Sequence, residues 1–268
     1  MKRTADGWIA TSMRSLGVLP VFRPQNVADA VAALAAAAAP TVVAGGTDLV
    51  AQFNEGYAPN GLLALRDIAA LRRIYVAGGR LHVGSCVTHD AGSHSEVVRS
   101  VAPGFAAAWG RVANVRVRMT ATIGGNVMAR RTRYELPILL DAIGGELHFE
   151  GPLLVSISIP LQGLIAFDYD RSLRPVTTQA VCVRRNENGA LTARATIGTE
   201  ATAPLGFDVP LDPALPSAPG EMAAPTAARA YDGFPEAFCD RYTSNVYLRH
   251  VGRVLLERQL VRIFHAAA

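Results

Sequence analysis

The chain has 268 residues, a formal net charge of +4 and a hydrophobic content of 50%. This length allows one large domain or two to three small ones, and the apolar fraction is sufficient for a sizeable core. The weak positive charge does not indicate a nucleic-acid partner. No stretch approaches the ~18 apolar residues of a membrane span. Asp6 follows the basic N-terminus and no long apolar run does, so we also expect no secretion signal.

The cysteines and histidines form no recognisable ligand motif. Cys86, Cys182 and Cys239 are far apart, which predicts no disulfide framework and no zinc or iron–sulfur site. A reducing cytoplasm is therefore the default location. The spacing of the histidines does not match that of metal ligands, so we expect structural or surface roles for His82, His89, His94 and His148.

The N-terminal part of the chain predicts a small helix–strand unit. We expect residues 1–20 to be irregular. Asn26 is a typical N-cap for an Ala-rich helix that Pro40 ends. The β-branched run Thr41–Ala44 then predicts a strand, which leads directly into Gly45-Gly46.

Hairpins and short helices are predicted for the middle of the chain. Gly78-Gly79 predicts a turn between two strands. Short helices are expected over Ser95–Val101 and Gly104–Ala113. A second β-branched run with a glycine pair follows at 121–126, before an apolar helix over Leu136–Ile143.

The composition changes after Pro160. Asn186–Gly189 predicts a turn between two long strands. Residues 201–235 are rich in Ala, Pro and Gly and predict a long surface loop. Ser244 is a candidate cap for a final helix, whose predicted buried face carries Leu248, Val251 and Leu255.

The glycine pairs at 45–46 and 124–125 carry most of the chemical information. Adjacent glycines leave no Cβ between the backbone and a ligand, although a single pair is more often an ordinary turn. Two such segments that face each other would make a nest of N–H donors suited to a pyrophosphate. Neither is a Rossmann or a Walker motif. The residues alone therefore indicate at most a dinucleotide phosphate site of another type.

Taken together, Ala44–Leu49 and Thr122–Asn126 closely resemble two loops that bind flavin in a known protein family. The members of this family are the FAD-binding subunits of the xanthine dehydrogenase/carbon monoxide dehydrogenase enzymes, which are molybdenum hydroxylases. The similarity extends from Phe22 to about Leu260 and includes Thr88-His89, Val115-Arg116-x-Arg118 and Tyr247-x-Arg249.

The resemblance implies an α+β fold. Residues 1–160 would form a two-lobed FAD-binding domain of the vanillyl-alcohol oxidase (PCMH) type, with lobes at about 20–60 and 61–160. Residues 161–268 would form a C-terminal antiparallel sheet-and-helix domain. The implied function is an oxidoreductase flavoprotein that passes electrons from 2Fe–2S clusters to an external acceptor.

The same resemblance implies two partners, a small iron–sulfur subunit and a large molybdopterin subunit that oxidises the substrate. A dimer of heterotrimers is expected. No catalytic residue and no metal ligand are expected in this chain, because the cofactor carries the chemistry. The FAD contacts implied by the resemblance are Val42, Val43, Ala44, Gly45, Gly46, Thr47, Asp48, Leu49, Val112, Ala113, Thr122, Ile123, Gly124, Gly125, Asn126, Glu135 and Phe167.

Three features depart from the family pattern. Arg130, Arg131 and Arg133 stand where the family commonly has small residues, and they would grip a diphosphate, dock an acidic partner or form a solvated loop. The segment Gly151–Phe167 is shorter than the family loop that covers the flavin ring. The family often has a Lys or an aromatic residue before the C-terminal sheet, and the candidates here are Phe167 and Tyr169. Phe167 would stack on the flavin ring, with a core position as the equal alternative.

For single residues and for the whole chain, alternatives stay open. Asp48 either accepts a hydrogen bond from a ribose hydroxyl or caps the following turn. The chain itself is expected to bind FAD, but a flavin-free scaffold subunit and a non-redox phosphate-binding protein are the rival interpretations. The substrate of the complex, whether purine, N-heteroaromatic, aldehyde or carbon monoxide, is not encoded in this chain.

Overall fold

The computed structural model describes residues 2–4, 7–9, 18–132, 134–172, 176–211, 219–240 and 242–267. These residues form an α+β fold, as predicted. The strands are β1 (Lys2–Thr4), β2 (Gly7–Ile9), β3 (Val21–Phe22), β4 (Thr41–Val43), β5 (Leu62–Ala64), β6 (Ile74–Ala77), β7 (Arg80–Gly84), β8 (Glu146–Glu150), β9 (Leu153–Pro160), β10 (Leu164–Arg171), β11 (Thr177–Arg185), β12 (Leu191–Thr199) and β13 (Leu205–Val209). The helices are α1 (Val27–Leu34), α2 (Thr47–Asn54), α3 (His89–His94), α4 (Glu96–Val101), α5 (Pro103–Trp109), α6 (Val115–Arg118), α7 (Ile123–Met128), α8 (Leu136–Ile143), α9 (Pro219–Asp232) and α10 (Asn245–Ala267), with a 3-10 helix over Ala69–Arg72.

The first lobe is a small parallel sheet with strand order β3-β5-β4. Asn26 caps α1 as predicted, because its Oδ1 accepts a hydrogen bond from the N–H of Asp29 over 2.8 Å. The helix ends at Leu34, earlier than the Ala-rich run predicts. Ala30, Leu63 and Ile68 are buried in the core of this lobe. This core fixes the end of β4, from which α2 starts.

The second lobe is an antiparallel sheet with strand order β6-β7-β9-β8, which α4, α7 and α8 contact directly. Helices α3, α5 and α6 pack on these and on one another. The hairpin predicted at Gly78-Gly79 is confirmed, since both glycines have positive φ, +56° and +70°. The helix predicted over Gly104–Ala113 begins at Pro103 and ends at Trp109. It cannot extend to Ala113, which has a left-handed backbone with φ of +54°.

The C-terminal part is an antiparallel sheet with strand order β10-β11-β12-β13, packed against α9 and α10. The predicted hairpin between β11 and β12 is confirmed, with Gly189 at φ +80°. The expected domain boundary at residue 160 falls between β9 and β10. The hydrophobic core continues across this point, because Phe167 and Cys182 belong to the same buried cluster as Phe105.

Two predictions of irregular structure were wrong. Within residues 1–20, β1 and β2 pair as an antiparallel ladder with Lys2 opposite Ile9. Residues 201–235 contain β13 and α9 in place of a long loop. Ala is the strongest helix former, and Ala223 and Ala227 are fully buried, so the small side chains let α9 pack closely. No helix in the described ranges is long and apolar enough to cross a membrane.

Candidate functional site

One cavity of about 790 Å³ lies where the two lobes meet. Its walls come mainly from four segments of the chain: the junction of β4 and α2, the stretch before α6, the start of α7 and the turn before β9. Single residues of the C-terminal part, Arg171 and Glu200, complete the lining. The cavity therefore draws on every part of the fold described above.

Gly45 allows the two glycine segments to touch. A Cβ at this position would lie 2.1 Å from the carbonyl oxygen of Thr120, which is far inside van der Waals contact. The adjacent Gly46 has φ of +73° and is the N-cap of α2. The first pair is thus required by close approach and by backbone conformation, and it brings the start of α2 against the segment before α7.

The start of α2 offers backbone donors to the cavity. Gly46 provides no side chain to cap the helix. Within the part of the chain that the structure describes, the N–H groups of Thr47 and Asp48 have no hydrogen-bond partner, as expected for the first turn of a helix. Both residues line the cavity. These N–H groups and the positive end of the helix dipole favour an anionic group.

The second glycine segment is not the open loop that the sequence indicates. It is the first turn of α7, capped by Thr122, whose Oγ1 accepts a hydrogen bond from the N–H of Gly125 over 3.1 Å. The N–H of Gly124 donates to the carbonyl oxygen of Ser85 over 2.9 Å, and that of Asn126 to the carbonyl oxygen of Thr122 over 2.9 Å. The expectation of free N–H donors is therefore wrong for this segment, because the fold already uses them.

Gly125 nevertheless leaves room for a ligand. A Cβ there would meet only Thr122 Oγ1, at 3.0 Å, and the residue is exposed at the cavity wall. Gly124 differs, because a Cβ on it would lie 2.7 Å from the carbonyl oxygen of Ser85. The second pair thus has one glycine for packing and one that keeps the cavity open.

Asp48 is held by three donors. Its carboxylate accepts hydrogen bonds from Gln52 Nε2 over 2.5 Å, Tyr134 Oη over 2.8 Å and Arg131 Nε over 3.2 Å. Burial acts to raise the pKa of Asp48, but these hydrogen bonds outweigh it and lower the pKa below its usual range. The carboxylate therefore joins α2 to the segment after α7 and does not cap the helix.

The contact with Asp48 gives a role to one of the three arginines that depart from the family pattern. Arg131 is half-buried and pairs with Asp48, a role outside the three that the sequence left open. Arg130 is exposed and has a left-handed backbone with φ of +51°. Arg133 lies outside the described residues.

Glu135 has no free carboxylate oxygen. Its Oε1 accepts hydrogen bonds from the hydroxyl of Tyr169 and from Arg171 Nη1, the latter over 2.9 Å. Its Oε2 accepts one from the N–H of Ala113 over 3.2 Å. Burial, followed by the neighbouring Glu135 carboxylate, raises the pKa of Tyr169, so the phenol remains a donor.

Asn126 retains an unused polar atom. Its Oδ1 is buried and has no partner among the described residues. Its Nδ2 lies 3.4 Å from Nε2 of His89, and Nδ1 of His89 accepts a hydrogen bond from Trp109 Nε1 over 2.8 Å. Burial and the nearby Arg118 lower the pKa of His89 to about 4, so the ring is neutral at physiological pH. Trp109 and Asn126 hold the ring on both sides, and no group of described residues forms a candidate metal site.

The structure brings most of the predicted contact residues to the cavity. Those that line it are Val42, Ala44, Gly45, Thr47, Asp48, Leu49, Val112, Ala113, Thr122, Gly124, Gly125, Asn126 and Glu135. Four others do not line it: Val43, Gly46, Ile123 and Phe167. Ile123 is completely buried in the core.

The structure corrects the expectation that Phe167 contacts the flavin. Only 6% of it is exposed, and its ring packs edge-on against Phe105 with centroids 5.6 Å apart. The residue takes the core position that was its alternative, because alternate residues of β10 point into the core formed with α5. The sequence reasoning missed Gln52, Tyr134 and Leu153 as cavity residues. The aromatic Tyr134, next to Glu135, was the only signal that the sequence offered for them.

The fold and the cavity together define a two-lobed α/β cofactor-binding unit joined to an antiparallel sheet with helices. The family pattern described as "FAD binding domain in molybdopterin dehydrogenase" matches residues 13–176. The chain belongs to this family.

Comparisons with individual proteins agree with this assignment. The chain is 29% identical over 128 residues to caffeine dehydrogenase subunit beta of Pseudomonas sp. (strain CBB1), covering 47% of this chain and 43% of that protein. It is 29% identical over 138 residues to the carbon monoxide dehydrogenase medium chain of Afipia carboxidovorans, covering 51% and 48%. The matches thus span less than half the length of these relatives.

A solved structure extends the likeness in fold. Quinoline 2-oxidoreductase from Pseudomonas putida 86 superposes with a TM-score of 0.77 over 95% of this chain and 99% of that one, at 20% sequence identity. At this identity the likeness concerns the fold alone. It includes strands β11 to β13 and the helices α9 and α10, which lie beyond the family pattern.

Proposed function

We propose that this chain is the FAD-binding electron-transfer subunit of a molybdenum hydroxylase. The observation that carries the proposal is the convergence of both glycine segments on one cavity. The start of α2 supplies unpaired N–H groups, and Gly125 supplies an opening that any side chain would fill. The family assignment supports FAD as the occupant of this cavity.

The residues present fit such a cofactor. The N–H groups of Thr47 and Asp48 would receive the diphosphate, and the buried Oδ1 of Asn126 would accept a hydrogen bond from a ligand donor. The apolar Leu49 and Leu153 would cover flat ring surfaces and keep water out. When bound, FAD supplies reversible transfer of one or two electrons.

The electrons would come from partner subunits. We propose a small subunit with 2Fe–2S clusters, a large molybdopterin subunit where the substrate is oxidised, and a dimer of such heterotrimers in the cytoplasm. The three cysteines of this chain are free thiols in three separate places, so they form no cluster site here. The acceptor would be NAD, a quinone or oxygen.

A second candidate is a scaffold subunit without flavin, favoured by the short segment after Gly151. The proposed function and this alternative differ in the visible spectrum of the purified chain. We expect a flavin spectrum with one FAD per chain. A chain that remains colourless after incubation with FAD would contradict the proposal.

The site itself is tested by a valine at Gly125. We expect Gly125→Val to fold and to bind FAD at least about tenfold more weakly, because the branched side chain fills the opening. Gly233→Val is the matched control, since a Cβ at Gly233 meets nothing within 4 Å and the residue lies outside the cavity. Gly45→Val is unsuitable, because its clash with Thr120 would disturb folding. Full FAD binding by a folded Gly125→Val variant would show that the site is wrong.

A further inference from the structure

Two residues of the C-terminal sheet contact Glu135, which lines the cavity. Tyr169 and Arg171 lie two positions apart on β10, so their side chains leave the strand on the same face. Both donate to Oε1 of Glu135. Tyr169 is completely buried, and the Glu135 side chain is 9% exposed. Glu135 is therefore held from the C-terminal part of the fold.

Glu135 in turn holds Ala113. The N–H of Ala113 donates to Oε2 of Glu135 over 3.2 Å, and Arg118 Nη1 donates to the carbonyl oxygen of Ala113 over 3.1 Å. Ala113 lines the cavity with φ of +54°, a conformation that a Cβ disfavours. An alanine stays in this region only when its surroundings hold it there.

We propose that Tyr169 is a positioning residue for the cofactor site: it fixes the Glu135 carboxylate, which keeps Ala113 left-handed and so shapes the wall along which the cofactor lies. The ligand in this inference rests on the proposed function. Arg171 assists, but its side chain is 35% exposed, so water can replace its hydrogen bond. Water cannot reach the hydroxyl of the buried Tyr169 in the same way.

The central variant is Tyr169→Phe, which removes the hydroxyl and keeps the ring. Two measurements report the effect of this substitution: the hydrogen-exchange rate of the Ala113 amide in the FAD-free chain, and the Kd for FAD. We expect exchange at Ala113 to become about tenfold faster and FAD to bind about tenfold more weakly. Tyr231→Phe is the matched control, because Tyr231 is also buried and donates to Gln179 Oε1 over 2.6 Å, yet does not line the cavity.

A rescue separates this role from a general loss of stability. Glycine adopts a positive φ without the penalty of a Cβ, so the Ala113→Gly variant no longer needs to be held in this conformation. In that background, Tyr169→Phe should weaken FAD binding by less than about twofold. If Tyr169 matters only for packing, Tyr169→Phe will weaken FAD binding equally in the wild-type and the Ala113→Gly backgrounds, and the proposal is overturned.

Further outcomes keep the test decisive. If Tyr169→Phe does not fold, Glu135→Ala removes the acceptor of the Ala113 N–H itself, and unchanged exchange at Ala113 in that variant would refute the inference. The exchange measurement uses the chain without FAD. Failure of the wild-type chain to bind FAD would therefore refute the proposed function. The link from Tyr169 to Ala113 would still be tested by the exchange rate of the Ala113 amide.

Discussion

Asp48 shows how one side chain can tie two lobes together. It stands in the first turn of α2, and its partners Arg131 and Tyr134 come from the segment after α7. The position of Asp48 at the cavity follows from the glycine motif in the sequence. Its partners do not, because they lie more than 80 positions away and only the folded chain brings them near.

The lowered pKa of Asp48 predicts a pH-dependent contribution to stability. A carboxyl group whose pKa is lower in the folded state stabilises the fold above its unfolded pKa, near 3.8, and loses this contribution as the pH falls through the folded value. Asp48→Asn should therefore be less stable than wild type at neutral pH. The difference should shrink between about pH 5 and pH 2. Urea denaturation across this range measures it, and a difference independent of pH would contradict the assignment.

Glu135 illustrates the same limit of sequence reasoning. The resemblance to the flavoprotein family implied that it contacts FAD. Nothing in the sequence indicates that both its carboxylate oxygens are used by Ala113, Tyr169 and Arg171. Hydrogen bonds between distant segments leave no local pattern, whereas a glycine pair or a capping residue does.

Among the elements, α7 is one whose start was visible in the sequence but was predicted as a loop. The Gly124-Gly125 pair indicated an open loop, but the preceding Thr122 is a favourable N-cap from which a helix can start. By contrast, the turns at Gly78-Gly79 and Gly189 were predictable, since only glycine tolerates their positive φ well. The helix α9 was missed because the prediction gave more weight to the Pro and Gly residues of this stretch than to its helix-forming alanines, which let it pack against α10 and β13.

Loss of the Thr122 cap should weaken both the helix and the site. Thr122→Ala removes the oxygen that accepts the Gly125 N–H, and we expect a decrease of about 1 kcal/mol in the free energy of unfolding. FAD binding should weaken as well, because the cavity wall at Gly125 becomes less ordered. Thr122→Ser keeps the hydroxyl and is the control. Equal stability of the Ala and Ser variants, measured by urea denaturation, would show that the cap contributes nothing.

At the scale of the whole molecule, one hydrophobic core runs across the expected domain boundary at residue 160. We therefore expect that the two parts of the chain cannot fold independently. Phe167, Tyr169 and Cys182, beyond the expected boundary, pack in one cluster with Phe105 and Trp109. A fragment of residues 1–160 would expose this apolar surface to water. We expect the fragment to lack a cooperative thermal transition and to aggregate, in contrast to the full chain. A folded, monomeric fragment with a sharp transition would show instead that the FAD-binding part is autonomous.

The contact between Gly45 and Thr120 has a consequence for biosynthesis. These residues are widely separated along the chain, and the cavity also includes Arg171 and Glu200. A nascent chain on the ribosome has no complete cavity until residue 200 has emerged and packed against the earlier lobes. Contacts between residues so far apart in sequence slow folding, because the entropy of loop closure opposes them. On the proposed function, FAD would therefore meet a complete site only after residue 200 has been synthesised.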